Sequence, residues 1–179
     1  LESGFPSENC RLFVPTDTPD LSRNKSTSKS VTNVLRRIAK TVRRFADQGR
    51  RSLVVTVSNA ERDQFLLLAK EEGVETMSYG NGNGLTAKTA ALLFKDGQGD
   101  CLVGTAANYA EGVDLPGGIA PVIFFLRPGF PPPRDPATVF EERRFGSTRW
   151  RLWNYRVILQ ALQTRGRNVR SAKDLGVTF

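Results

Sequence analysis

Strand and helix patterns alternate along most of this 179-residue chain, and that alternation limits its fold more than any other feature. Runs of β-branched and other apolar residues predict strands, whereas the segments between them carry apolar residues at helical spacing. The predicted strands cover residues 11–14, 52–58, 74–79, 100–105 and 120–127, and the predicted helices cover 31–49, 60–73, 86–97 and a stretch from 150 into an arginine cluster. Strands that alternate with helices predict one α/β domain, with a mostly parallel sheet flanked by helices on both faces.

Charge and cysteine content narrow the choice of partners and of metal sites. Lys and Arg total 26 against 18 Asp and Glu, a net charge of +8, which favours a polyanion such as nucleic acid as partner. Cys10 and Cys101 fit no metal-ligand spacing and the chain has no histidine, so we expect no metal site and buried apolar roles for both cysteines. No stretch has the pattern of a membrane span or a signal peptide, which predicts a cytoplasmic protein.

A glycine-rich segment, "GNGNGLTAKT" at residues 80–89, imitates a phosphate-binding loop. In a P-loop, a glycine directly precedes the lysine so that the backbone wraps the phosphates, whereas here Leu85, Thr86 and Ala87 intervene. We therefore expect a flexible turn that begins at Gly80 and lies against a nucleic-acid backbone.

The arginine cluster lies in "QTRGRNVR", residues 163–170. If the last helix continues through it, Gln163, Arg167 and Arg170 share one face, and Arg165 points the opposite way. Gly166 keeps the surface beside this face low, and two guanidinium groups with an amide suit a polyphosphate. A solvated basic helix end is the alternative that spacing alone leaves open.

A second informative segment, "GTAANYAEGVDLPGG" at residues 104–118, follows the carboxyl end of a predicted strand. Ligands of open parallel sheets bind at that edge. The carboxylates Glu111 and Asp114 suit a ribose, a metal-bound water or an arginine, and a plain turn capped by Asp114 is the alternative.

Together these segments resemble the second RecA-like motor domain of superfamily 2 DNA helicases of the DinG/XPD group. Residues 163–170 have the Gln-x-x-Gly-Arg-x-x-Arg pattern of motif VI, residues 104–118 resemble motif V, and "LVVTVS" at 53–58 resembles motif IV. The segments follow in the family's order over nearly the whole chain. Ala110 departs from the pattern, because the family has an aromatic residue before the glutamate. The first motor domain, with its Walker lysine loop, does not lie in residues 1–179, which we therefore expect to be a fragment of a longer chain.

The resemblance implies an ATP-dependent DNA helicase that moves 5′ to 3′ along single-stranded DNA. ATP and Mg²⁺ would be held mainly by the first RecA-like domain of the same chain, so the isolated domain is expected to be inactive. A CRISPR or repair complex is the wider partner that the resemblance suggests. The alternative function is a non-catalytic nucleic-acid-binding or assembly module, as in a CRISPR-associated DinG relative.

The resemblance also implies roles for individual residues. Arg167 and Arg170 would act as arginine fingers on the γ-phosphate of ATP, with Gln163 in the same cleft. The residues expected on the nucleotide side are Glu111, Gly112, Asp114 and Gly166. Those expected along single-stranded DNA are Thr56, Ser58, Asn59, Gly80, Thr105 and Asn108.

Overall fold

The computed structural model describes residues 7–21, 27–80, 82–109, 113–116, 118–131, 134–166, 169 and 173–179. Within them, six strands form one sheet in the order β1-β6-β5-β2-β4-β3, and every paired neighbour runs parallel. The strands are β1 Cys10–Leu12, β2 Ser52–Thr56, β3 Thr76–Met77, β4 Cys101–Thr105, β5 Val122–Phe125 and β6 Gly176–Thr178. The predicted parallel α/β sheet is therefore confirmed, and β6 is a strand that the sequence patterns missed.

Helices connect these strands. They are α1 Ser28–Ala46, α2 Asn59–Glu71, α3 Ala87–Lys95, α4 Ala106–Tyr109, α5 Pro136–Phe145 and α6 Arg149–Arg165, with short 3₁₀ turns at Ser7–Asn9 and Gly146–Thr148. None of the helices in the described part of the chain combines the length and hydrophobicity needed to cross a bilayer. The short helix α4 and the helix α5 are additions to the predicted set.

Two apolar layers cover the central strands. Every residue of β2 and β4 is buried, as expected for strands that are covered on both faces. On one face, α1 and α2 contribute Leu35, Val42, Phe65 and Leu68 to the core. On the other face, α3 and the segment after β4 contribute Phe94, Tyr109, Val113 and Leu115. The helices therefore hold β2 and β4 from both sides and fix the sheet edge at which both strands end.

Local capping chemistry explains where two helices begin. The α1 helix starts three residues before the predicted Val31, because Thr27 and Ser30 form a reciprocal capping box between side chains and backbone amides. The α5 helix follows a proline-rich stretch, and for that reason the sequence patterns did not predict it. Its cap is Asp135, whose carboxylate accepts from two backbone amides, and Pro136 occupies the first turn, where its missing N–H costs no hydrogen bond.

The end of α6 differs from the prediction. The helix stops at Arg165 and Gly166 is its C-cap. Because α6 ends before Arg167, the helical geometry that grouped Gln163 with Arg167 and Arg170 does not extend to these two arginines, and their grouping stays a prediction. Both of these arginines lie outside the described residues, and the roles proposed for them stay predictions.

Candidate functional site

A polar cluster built around Tyr79 occupies the carboxyl edge of the sheet. The Tyr79 phenol oxygen accepts from the backbone N–H of Thr105 at 3.1 Å and from the side-chain amide of Asn108 at 2.7 Å. The hydroxyl of Thr105 lies 3.0 Å from the same oxygen. Tyr79 follows β3, whereas Thr105 ends β4 and Asn108 lies in α4. Tyr79 thus joins two predicted DNA-contact residues that come from the neighbouring strand end.

Arg62 extends the cluster towards α2. Its guanidinium lies over the Tyr79 ring, 4.5 Å from the centroid, and donates to the carboxylate of Asp63 and to the Asn59 side chain at 3.1 Å. A Cβ placed on Gly80 would lie 3.3 Å from an Arg62 nitrogen, so the glycine backbone runs directly beside the guanidinium. We call Arg62, Tyr79 and the predicted residues Asn59, Gly80, Thr105 and Asn108 the Tyr79 cluster.

Hydrogen bonds within the cluster shift the pKa values of its two central groups, Tyr79 and Arg62. Burial alone would raise the pKa of the Tyr79 phenol, but hydrogen bonds from Thr105, Asn108 and Arg62 lower it below its usual value. Burial alone would lower the pKa of Arg62, yet its bonds to Asp63 and Tyr79 raise it, so the arginine stays charged. Sequence reasoning missed Tyr79 and Arg62, although the place of Tyr79 at a predicted strand end beside the glycine turn was a usable signal.

Two further predicted DNA contacts have structural duties. The Thr56 side chain is fully buried, and its hydroxyl lies 3.2 Å from the carbonyl of Ser58 and 3.3 Å from that of Gly104. This burial contradicts the prediction that the Thr56 hydroxyl contacts DNA. Ser58 is exposed, but its hydroxyl caps α2 by accepting from the Glu61 backbone amide at 3.3 Å.

Gly104, in β4, allows the chain after this strand to fold beneath the cluster. A Cβ at this position would lie 2.3 Å from two ring carbons of Tyr109 and 3.0 Å from the Tyr79 ring. Tyr109 is fully buried and donates its hydroxyl to the Ala87 carbonyl at 3.0 Å. Because a glycine stands here, α4 can turn tightly and bring Asn108 to the Tyr79 oxygen.

A shallow cleft borders the Tyr79 cluster on the α3 side. It encloses about 370 Å³, and Asn108 shares its lining with Ala91 and Tyr109. The lysines Lys88 and Lys95 of α3 flank it. Positive charge therefore lies beside the exposed amide of Asn108, at the edge where the sequence predicted a nucleic-acid contact.

The α6 helix, which carries the predicted residue Gln163, ends at the opposite, amino edge of the sheet. Arg165, in the last turn of α6, donates to Cys10, the first residue of β1. Gln163 and Asp114 are exposed, and Gly166 caps α6. The remaining predicted residues of this group, Glu111, Gly112, Arg167 and Arg170, lie outside the described residues. The proposal that Glu111 and Asp114 orient the arginines stays a prediction.

A wider cleft opens at this amino edge, beside the starts of β1, β5 and β6. It encloses about 640 Å³. Its charged lining side chains are Glu8, Arg11, Arg50, Lys173 and Asp174. Sequence reasoning assigned none of these residues to a site, because they come from segments far apart along the chain and meet only in the folded sheet.

Comparison with known proteins gives a family match and structural likenesses. Residues 27–179 match the family described as "Helicase C-terminal domain", whereas the sequence has no significant match among curated proteins. Among solved structures, an XPD helicase superposes on 94% of this chain with a TM-score of 0.64 and 15% identity. The C-terminal part of the Fun30 ATPase domain superposes on 88%, with a TM-score of 0.51 and 11% identity. These structures share the RecA-like fold, and this chain spans 30% and 44% of their respective chains.

Proposed function

Since the chain belongs to the helicase C-terminal domain family, we propose that it is the second RecA-like motor domain of a DinG/XPD-type, ATP-dependent DNA helicase. The observation that carries this proposal is the family match over residues 27–179, which leaves out only the first part of the chain. The first motor domain of the same protein would hold ATP and Mg²⁺, and this domain would complete the site when the two domains close.

The Tyr79 cluster is the part that we assign to single-stranded DNA. Sugar–phosphate backbones are bound by exposed amides, hydroxyls, backbone N–H groups and cations, without reading the base sequence. The cluster offers the exposed Asn108 side chain, and Lys88 and Lys95 line the cleft beside it. The amide hydrogens of Asn108 and the N–H of Gly80 already donate to groups within the domain, so we assign the phosphate contacts to the two lysines. Tyr79 and Arg62 act behind these groups, because their hydrogen bonds hold Asn108 and Asn59 in place.

The opposite edge is the part that we assign to the nucleotide. Arg167 and Arg170 would stabilise the charge on the transferred phosphoryl group, with Gln163 and Gly166 beside them. The segment 104–118 starts at the carboxyl edge and leads to β5, which begins at Val122 on the amino edge. One short segment therefore links the proposed DNA and nucleotide sides, which suits a motor that couples hydrolysis to translocation.

Binding of single-stranded DNA by the 179-residue chain tests the first half of this assignment. We expect weak binding at low salt, with an affinity that falls steeply as salt rises, because lysine and arginine displace the counterions of the phosphates into bulk solution. Titration of a labelled oligonucleotide by fluorescence anisotropy at several salt concentrations gives the slope, about −0.7 per phosphate contact. An affinity that does not change with salt, or no binding at low salt, would rule out the proposed DNA-binding surface.

Tyr79→Phe tests the centre of the cluster. The change removes the acceptor of the Thr105 N–H and of the Asn108 amide, so we expect weaker DNA binding and a loss of about 1–3 kcal/mol in the free energy of unfolding. Tyr155→Phe is the matched control, since Tyr155 is exposed on α6 and lies outside the cluster. Denaturant unfolding and anisotropy should separate the two variants, and equal behaviour would contradict the role given to Tyr79.

A further inference from the structure

Cys10 contacts both the last turn of α6 and the first residue of β6. On one side, Arg165 Nη2 donates to the Cys10 carbonyl at 2.6 Å, and Arg165 Nε lies 3.1 Å from the Cys10 sulfur. The thiol in turn donates weakly to the Arg165 carbonyl at 3.7 Å. On the other side, Gly176 pairs with Cys10 in the parallel register of β1 and β6. Both flanks of residues 166–175 therefore meet the same point of β1.

We propose that Arg165 and Cys10 form a clamp that positions Arg167 and Arg170 for the phosphoryl group, an inference that rests on the proposed function. Arg165 is then a positioning residue and touches no substrate. The clamp joins the last turn of α6 to a strand that lies 155 positions earlier in the sequence. Arg167 follows Arg165 by two positions, so the place where the chain leaves α6 is set immediately before the first finger.

Buried residues lie before, between and after the two predicted fingers. Thr164 is fully buried and donates its hydroxyl to the Gln160 carbonyl at 2.8 Å. Val169, between the two predicted fingers, is 6% exposed, and Asp174 is 8% exposed. A displacement of the Arg165 end would be carried to the fingers, and a misplacement of about 1 Å at a reacting group can cost a factor of about 100 in rate.

The chemistry of the clamp requires a guanidinium. Arginine presents several donors in one rigid plane, so one side chain can bind a carbonyl oxygen and a sulfur at the same time. Lysine has a single nitrogen on a flexible stem and holds the same two acceptors with less geometric control. Arg165→Lys therefore keeps the charge but loosens the orientation of the α6 end.

The test uses the full-length protein and compares Arg165→Ala, Arg165→Lys and Cys10→Ala with the control Arg151→Ala, which removes an exposed arginine of the same helix. The readouts are kcat and KM for DNA-stimulated ATP hydrolysis, single-stranded DNA affinity and the melting temperature. We expect Arg165→Ala to lower kcat at least about ten-fold, with KM for ATP nearly unchanged, because the other domain holds the nucleotide. Arg165→Lys should recover part of kcat, and Arg151→Ala should match the wild type.

Cys10→Ala guards against the case in which Arg165→Ala fails to fold. This variant keeps the Cys10 carbonyl and removes only the sulfur, so we expect a smaller fall in kcat than in Arg165→Ala. When Cys10→Ala is combined with Arg165→Lys, the two losses of kcat should not add up, because both changes act on the same contact. Wild-type kcat in folded Arg165→Lys and Cys10→Ala, while Arg167→Ala is inactive, would overturn the clamp. Wild-type kcat in Arg167→Ala and Arg170→Ala would instead overturn the proposed function. A lower melting temperature with unchanged kcat would reduce the clamp to a fold contact and overturn the positioning role.

Discussion

Arg167→Ala and Arg170→Ala in the full-length protein are each expected to lower DNA-stimulated ATP hydrolysis by about 10³-fold or more, the usual effect of removing an arginine finger. A finger stabilises charge that develops on the transferred phosphoryl group, so the fall should appear in kcat. Affinity for single-stranded DNA and the melting temperature should change little. Turnover at saturating ATP and DNA is the measurement.

The control and the competing assignments give distinct results. Arg151→Ala, on the exposed side of α6, should hydrolyse ATP at the wild-type rate. If the cluster is only a solvated basic helix end, Arg167→Ala and Arg170→Ala will both match that control. If the two arginines contact DNA phosphates instead, the variants will lose binding and the salt slope will become shallower. Near-wild-type turnover in both variants would end the finger assignment.

The central part of the fold could be predicted because its strands are buried on both faces. β2 and β4 carry unbroken apolar runs, and the glycines and polar caps between them mark the neighbouring helices. The strand β6 covers only Gly176–Thr178, which is too short to show a period. Its place between β1 and β5 depends on pairing with distant strands, and no local pattern reports that.

The sequence predicted the location of a candidate residue where that location depends only on the strand beside it. Thr105 ends a strand that the sequence identified and Asn108 follows it, so their place at the carboxyl edge came with the fold. Thr56 was wrong as a DNA contact for the opposite reason, since its hydroxyl is turned inward to carbonyl groups of the core. The sequence shows at which edge of the sheet a residue lies, but it does not show which groups its side chain bonds to.

Arg62 and Arg165 show where sequence reasoning ends. Arg62 lies in the first turn of α2, and nothing in the local sequence indicates that its guanidinium is buried over the ring of Tyr79, which follows β3. Arg165 was predicted to point away from the site on a helix that continues, but Gly166 ends the helix and Arg165 bonds to Cys10. A helical wheel predicts directions only as far as the helix extends.

Gly104→Ala is expected to destabilise the chain by about 3 kcal/mol or more, a large part of the stability of an ordinary domain. The added Cβ would lie 2.3 Å from the Tyr109 ring, which is fully buried and tied to the Ala87 carbonyl, so the ring cannot swing away. Backbone strain does not enter, because Gly104 has no positive φ. Denaturant unfolding monitored by circular dichroism should show the midpoint fall or the transition disappear.

Gly129→Ala is the matched control for Gly104→Ala. Gly129 also has no positive φ, and a Cβ there would meet only Val57 at 3.7 Å, an ordinary contact, so the unfolding midpoint of Gly129→Ala should stay close to that of the wild type.

A second test of Gly104→Ala removes the ring of Tyr109. Tyr109→Ala alone should destabilise by about 3–5 kcal/mol because it leaves a cavity. In that background the added methyl no longer meets the Tyr109 ring and has only the Tyr79 ring edge at 3.0 Å beside it, so Gly104→Ala should cost much less than in the wild type. Equal costs in the two backgrounds would show that the clash with Tyr109 is not what requires glycine at position 104.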